Sequence, residues 1–337
     1  MSEPCANPQP SKPETLLEVE KLNTWFFTRK GVVKSVRDVS FHVEKGEVLS
    51  VVGESGSGKS VTGLSILRLI DQPGRIVSGA IRFNGTDLAT LSEEEMRSYR
   101  GNRIAMIFQN PMMTLNPVQR IGDQMAEAIS EHEDLPQSEV MRRCIEALKA
   151  VGIPSPEERM KAYPHEFSGG MRQRIVIATA LVTQPDLIIA DEPTTALDVT
   201  IQAQIIHQTR KLIDETGAGM IWVSHDLATV SELADRVVVM YAGAVMEIGT
   251  TAEIIGSPRH PYTQQLLNSV PSRNEPGKEL FQIPGMMPSL LSLGEGCAFA
   301  SRCSARRPAC DQPIPPEHLS ATHTVWCVRA KEEGDAA

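Results

Sequence analysis

Short apolar runs with a two-residue beat open the chain. Leu17-Glu18-Val19-Glu20, the cluster Trp25-Phe26-Phe27 and the stretch 36–43 predict strands of a small β layer. Glu47-Val48-Leu49-Ser50-Val51-Val52 is nearly unbroken instead, the pattern of a strand buried on both faces. It runs into a Gly/Ser loop, and over 59–70 the apolar positions follow a helical beat. Strand, loop and helix in that order make the βα unit of a parallel sheet. Apolar runs at 104–108, 186–190, 219–223 and 236–240 predict further buried strands, with a helix over about 200–214.

Between the two halves of that sheet, residues 111–171 are mostly helical in pattern, with Met141, Ile145 and Leu148 at roughly helical spacing. After about Gly249 the composition shifts. Pro258, Pro261, Pro271, Pro276, Pro284 and Pro288 punctuate a loop-rich segment that holds four of the six cysteines. Residues 1–14, rich in Pro, Ser, Asn and Gln, are expected to be a flexible tail. The expected organisation is a main domain over 15–250, a helical insert within it over about 111–172, and an extension over 251–337. No repeat of 20–50 residues is visible.

Lys+Arg number 33 and Asp+Glu 42, a net charge of -9. That balance argues against a general nucleic-acid binder, which needs a basic footprint. No apolar stretch approaches the ~20 residues that span a bilayer. The N-terminus lacks the basic and apolar regions of a secretory signal. A cytosolic chain is expected, with reduced thiols.

Gly53-Glu54-Ser55-Gly56-Ser57-Gly58-Lys59-Ser60 fits the phosphate-loop pattern G-x-x-x-x-G-K-[ST], with a strand before it and a helix after it. Successive backbone N–H groups turned inward make an anion cradle. Lys59 adds charge toward the β- and γ-phosphates, and the Ser60 hydroxyl can ligate Mg²⁺. The run Leu187-Ile188-Ile189-Ala190 ends in Asp191 and Glu192. At the carboxyl end of a parallel strand, Asp191 is placed for Mg²⁺ and Glu192 for polarising an attacking water. His225 tips another strand, where it could meet the γ-phosphate or the water. Gln109 follows the run 104–108, where an amide could touch metal and water.

Ser168-Gly169-Gly170-Met171 opens a helix and makes a second anion-receiving turn. One nucleotide does not need two such turns from one chain; two chains packed head to tail would use both. With these motifs in this order, the sequence resembles the ATP-binding subunits of ABC transporters, most of all those of dipeptide and oligopeptide importers. In the terms of that family, 53–60 is the Walker A loop, Gln109 the Q-loop and 168–171 the signature. Asp191 ends the Walker B strand, Glu192 is the catalytic carboxylate, Ala196-Leu197-Asp198 the D-loop and His225 the switch histidine. Met171 stands where most signatures have Gln, as in the peptide branch. The stretches 109–117 and 190–199 and His260-Pro261-Tyr262-Thr263 also point to that branch.

The resemblance implies an α/β ABC-type P-loop ATPase: a parallel sheet core, an antiparallel β subdomain, an inserted helical subdomain and a Cys-containing extension. It implies an aromatic stacked on adenine, with Phe26 the choice among Trp25, Phe26 and Phe27. It implies Mg²⁺ on Ser60, Gln109 and Asp191. It also implies a paralogous ATPase partner, two membrane permeases, an external substrate-binding protein and a peripheral place at the cytoplasmic face of the membrane. Apolar residues after Gln109 (Met112, Met113, Leu115) would be exposed to receive a permease helix, or else would pack into the insert. Cargo is open, since nickel and glutathione importers have similar ATPases. A soluble ABC ATPase acting on ribosomes or DNA is the rival class.

Cys297, Cys303, Cys310 and Cys327 give C-x5-C-x6-C-x16-C, a set that could ligate zinc or an iron–sulfur cluster. The tail resembles the peptide-importer extension, some members of which carry a [4Fe–4S] cluster, and that cluster is favoured over zinc. Cys5 and Cys144 are expected to be plain thiols.

Overall fold

The computed structural model describes residues 14–195, 197–270, 274 and 281–330. Two long strands, β1 (Thr15–Thr28) and β2 (Gly31–Glu44), pair antiparallel. With β4 (Gly74–Phe83) and β5 (Thr86–Asp87) they form a four-stranded antiparallel sheet in the order β2-β1-β4-β5. The second sheet has eight strands. Its parallel part runs β9 (Arg236–Tyr241), β3 (Val48–Val52), β8 (Gly219–Ser224), β7 (Leu187–Asp191) and β6 (Ile104–Ile107). β10 (Ala244–Thr250), β12 (Thr324–Val325) and β11 (Glu317–His318) continue it antiparallel beyond β9.

The unbroken apolar runs fit strands covered on both faces. Every residue of β3, β7 and β8 is buried. Their side chains alternate between two cores. Leu49, Val51, Ile189, Ile221 and Val223 belong to a core shared with Leu17, Val19 and Phe41 of the antiparallel sheet. Val48, Ile188, Ala190, Met220 and Trp222 join one built largely from the helical insert, with Ile129, Leu148 and Ile175. Each fully buried aliphatic side chain of this kind stabilises the fold by about 1.5–3 kcal/mol.

Several expectations shift. The helix predicted over 59–70 spans only Lys59–Ile66, because Arg68 takes a left-handed φ of 53° that ends it. In the helix Gln137–Ala150 the buried stripe is Val140, Cys144 and Leu148, while Met141 and Ile145 are only partly buried beside it. Of the two readings for Leu115, exposure for a partner or packing into the insert, the second holds: it is 5% exposed and lies in the insert core. The side chains of Met112 and Met113 lie outside the described residues, as do Ala196 and Cys5.

The segment after Thr250 is more than loop. It holds helices Thr251–Gly256 and Pro261–Asn268 and supplies β11 and β12. It also builds a third core, in which Phe299 meets the rings of Tyr241 and Tyr262 at 5.3 and 5.2 Å.

Candidate functional site

In a parallel sheet all carboxyl ends lie along one edge, where ligands bind. Here that edge presents, in spatial order, the 53–60 loop after β3, His225 after β8, Asp191 and Glu192 at β7, and Gln109 just beyond β6. Strand order thus gathers residues separated by up to 172 positions into one row.

The loop is tightly built. Gly53 has φ 152°, and a Cβ there would stand 2.1 Å from the Met240 carbonyl oxygen. Gly58, also left-handed, caps the following helix, so backbone N–H groups open into the cradle. Lys59 is 4% exposed, and its ammonium donates to the carbonyls of Gly53 and Glu54 at 2.8 and 3.0 Å. Burial lowers its pKa, while Glu192, Asp191 and Glu54 nearby favour the charged form. The Ser60 hydroxyl donates to Asp191 Oδ1 at 2.9 Å. Burial raises the Asp191 pKa, and the Ser60 hydrogen bond and Lys59 act against that rise.

Glu192 is the point of convergence. Its Oε2 accepts from Gln109 Nε2 and Thr195 Oγ1, each at 3.0 Å, and lies 3.3 Å from His225 Nδ1. Among the described residues Oε1 takes no hydrogen bond, so one carboxylate oxygen is held and the other is open. Glu192 sits at φ 46°, a left-handed conformation that is costly for a side chain with a Cβ and is found at functional sites. Its N–H is anchored on the Val223 carbonyl at 3.0 Å. Thr195 was not singled out by sequence; its place just after the acid pair was the only signal.

The 168–171 turn lies apart from this row. Ser168 caps the 13-residue helix Gly169–Leu181 by accepting from the Met171 N–H at 3.3 Å, and Ser168 and Gly169 are exposed. Gly170 abuts Ile201, where a Cβ would be 2.9 Å from Cγ2. The turn lines a shallow concavity with Asp198, which caps the helix Val199–Thr216 by accepting from the Ile201 N–H. Ser55, Gly56 and Ser57 complete the cradle, and the Ser57 hydroxyl is buried with no partner among the described residues. The three candidate aromatics differ. Phe26 packs against Gly74, Trp25 carries Lys34 over its ring at 4.9 Å, and Phe27 carries Arg75 at 4.2 Å.

The four cysteines of the extension share one neighbourhood. Burial pushes the Cys297 thiol up to about 11, and the charges of Cys310, Cys327 and Cys303 add to that rise. Burial also raises Cys303 and Cys327. His260 is held neutral, pushed down to about 4 by burial. Its Nδ1 accepts from the Tyr262 N–H at 3.0 Å, so the proton sits on Nε2, which faces Cys297 Sγ at 3.9 Å. Among the described residues no group of three or more His, Cys, Asp or Glu is placed to hold a metal ion. Cys144 is a buried plain thiol, raised to about 11.

A phosphate loop on a central parallel strand, with a carboxylate pair, an amide and a histidine along the same sheet edge, defines a P-loop nucleotide-binding cassette. Comparison with known proteins narrows the class. The family described as "ABC transporter" matches residues 36–195, and "Oligopeptide/dipeptide transporter, C-terminal region" matches residues 246–310. The chain is 49% identical to the dipeptide transport ATP-binding protein DppD of Bacillus subtilis over 93% of this chain and 94% of that protein. It is 50% identical to the oligopeptide transport ATP-binding protein OppD of the same organism, over 92% of this chain and 87% of that one. Among solved structures, a dimeric bacterial ABC transporter cassette, MJ0796, shares the fold with a TM-score of 0.63 at 24% identity, covering 70% of this chain and 99% of that one. The chain belongs to the ABC transporter family, in the branch that carries the oligopeptide/dipeptide C-terminal region.

No helix among the described residues is long and apolar enough to cross a membrane.

Proposed function

We propose that this chain is the ATP-hydrolysing subunit that powers import of di- or oligopeptides through a multi-subunit membrane transporter. The observation that carries the reading is the convergence of Gln109, Thr195 and His225 on one oxygen of Glu192, beside the Lys59 and Ser60 of the phosphate loop. The match through the extension supports the peptide branch.

ATP lies in the cradle of 53–60, with Lys59 turning from its two carbonyls to the β- and γ-phosphates and Phe26 stacking on adenine. Glu192 orients the attacking water through its open Oε1 for in-line displacement, and His225 steadies charge that develops on the γ-phosphate. A hydroxyl in contact with a buried carboxylate is an oxygen set that suits a hard cation, which would offset the cost of burying Asp191. Ser60, Asp191 and Gln109 would hold Mg²⁺, which neutralises the phosphate oxygens when bound.

Two chains pack head to tail, so that Ser168, Gly169, Gly170 and Met171 of one close over the nucleotide of the other, with Asp198 at the same seam. The exposed N-terminal turn of a long helix, with Ser168 and Gly169 at its surface, supports this. The partner is a paralogous ATPase, and the pair sits at the cytoplasmic face against two permeases that an external binding protein supplies with peptide. Purification of the transporter through a tag on this chain tests the assembly. The expected product holds two different ATPases and two permeases, with ATP hydrolysis stimulated by peptide-loaded binding protein. A complex whose nucleotide touches a single ATPase subunit throughout the cycle would reject the pairing.

The four thiols carry a second part of the reading: a [4Fe–4S] cluster on Cys297, Cys303, Cys310 and Cys327, with zinc the alternative. Their shared neighbourhood supports it, as does the small core of the segment, which metal binding would reinforce. Chain purified without oxygen should carry about four irons and four sulfides, and Cys303→Ser should lose them. Chain free of both iron and zinc would end this part.

A further inference from the structure

Arg302, in the extension, lies 248 positions from Glu54 of the phosphate loop, and its guanidinium closes on that carboxylate. Nη1 donates to Oε1 at 3.0 Å and to Oε2 at 2.9 Å. The same group reaches the Tyr241 hydroxyl at 3.1 Å, and the carbonyls of Pro284 and Ile283 at 2.8 and 3.0 Å. The Arg302 side chain is 6% exposed and that of Glu54 27%. An exposed ion pair contributes little, but a buried guanidinium whose three nitrogens each find an acceptor holds its partners in place. The extension grips the loop at two more points. Tyr262 Oη accepts the Glu54 N–H at 2.9 Å, and the Met287 methyl lies 2.9 Å from where a Gly56 Cβ would stand.

The chemistry makes this pair more than a fastening. Glu54 is an acid in a loop built to receive anions, and it lies close enough to favour the charged form of Lys59. Left alone, its charge would repel a triphosphate and compete for that lysine. Arg302 offsets it and fixes the second residue of the loop.

We infer that Arg302 is a positioning residue of the nucleotide site: from the C-terminal extension it neutralises Glu54, orders the phosphate loop and leaves Lys59 available to the triphosphate. This rests on the ATP-binding reading above, which binding of ATP by the wild-type chain tests separately.

The test is equilibrium ATP binding to the full chain at low and high salt, alongside thermal unfolding without nucleotide. Arg302→Met keeps bulk and removes charge; it should weaken ATP binding about tenfold at low salt. Adding Glu54→Gln to that variant should restore affinity to within about threefold of wild type, because the repelling charge is gone. Glu54→Gln alone leaves the guanidinium unneutralised beside the loop and should tighten binding about threefold, an effect that salt screens. This third variant decides the matter should Arg302→Met fail to fold. The inference is overturned if Arg302→Met binds ATP like wild type, if the double variant binds as weakly as the single one, or if Glu54→Gln binds no tighter at low salt.

Discussion

Glu192→Gln is expected to keep ATP bound and to stop its cleavage. The amide has the size of the carboxylate and can still meet Gln109, Thr195 and His225, which surround Oε2 at 3.0–3.3 Å. It cannot accept a proton from water. General-base assistance contributes about 10²–10⁴-fold, so turnover should fall by about that factor while the dissociation constant for ATP stays within a fewfold of wild type. Phosphate release in single-turnover mixing, with equilibrium binding measured beside it, separates the two. Steady hydrolysis within about tenfold of wild type would remove Glu192 from the role of base. A parallel collapse of ATP affinity would mean that the carboxylate acts in binding instead.

The second large effect is steric. Gly53→Ala puts a methyl 2.1 Å from the Met240 carbonyl oxygen and 2.9 Å from Ser57 Oγ. Met240 belongs to β9, which pairs with β3 directly before the loop, so neither backbone can yield without opening the ladder. The cost should be on the order of 3 kcal/mol or more, spent either as lower stability or as a displaced cradle. ATP affinity is expected to drop by about a hundredfold or more, with a lower unfolding temperature. Gly85→Ala is the control. It is also left-handed, at φ 78°, but a Cβ there meets nothing within 4 Å, so only the backbone cost of about 1–2 kcal/mol applies and ATP binding should not change. ATP binding by Gly53→Ala at wild-type strength would show that the loop is not seated against β9 as described.

The site was legible in the sequence wherever its chemistry is local. A phosphate loop needs its glycines and lysine at set spacing, so 53–60 could be read directly. Asp191, Glu192 and His225 could be read because an unbroken apolar run that ends in a polar tip marks the carboxyl end of a buried strand. The convergence on Glu192 was less visible, since Gln109 and Glu192 are 83 positions apart and meet only because β6 and β7 are neighbours. Leu115 stayed undecided between partner contact and core for the same reason: an apolar residue in a polar stretch has no visible neighbour until the insert folds over it. The premature end of the helix Lys59–Ile66 and the strands at the far edge of the sheet also escaped the pattern.

The residues proposed to meet phosphate, metal and water are written in short spacings, and the sequence alone could mark them, because each motif needs only its own few backbone turns. Which strand lies beside which, and therefore that the extension reaches back through Arg302 to the loop at Glu54, was decided by the tertiary structure alone. An ion pair carries no mark of its partner in the chain, and burial, which makes the pair matter, exists only once the sheet and its third core have closed around it.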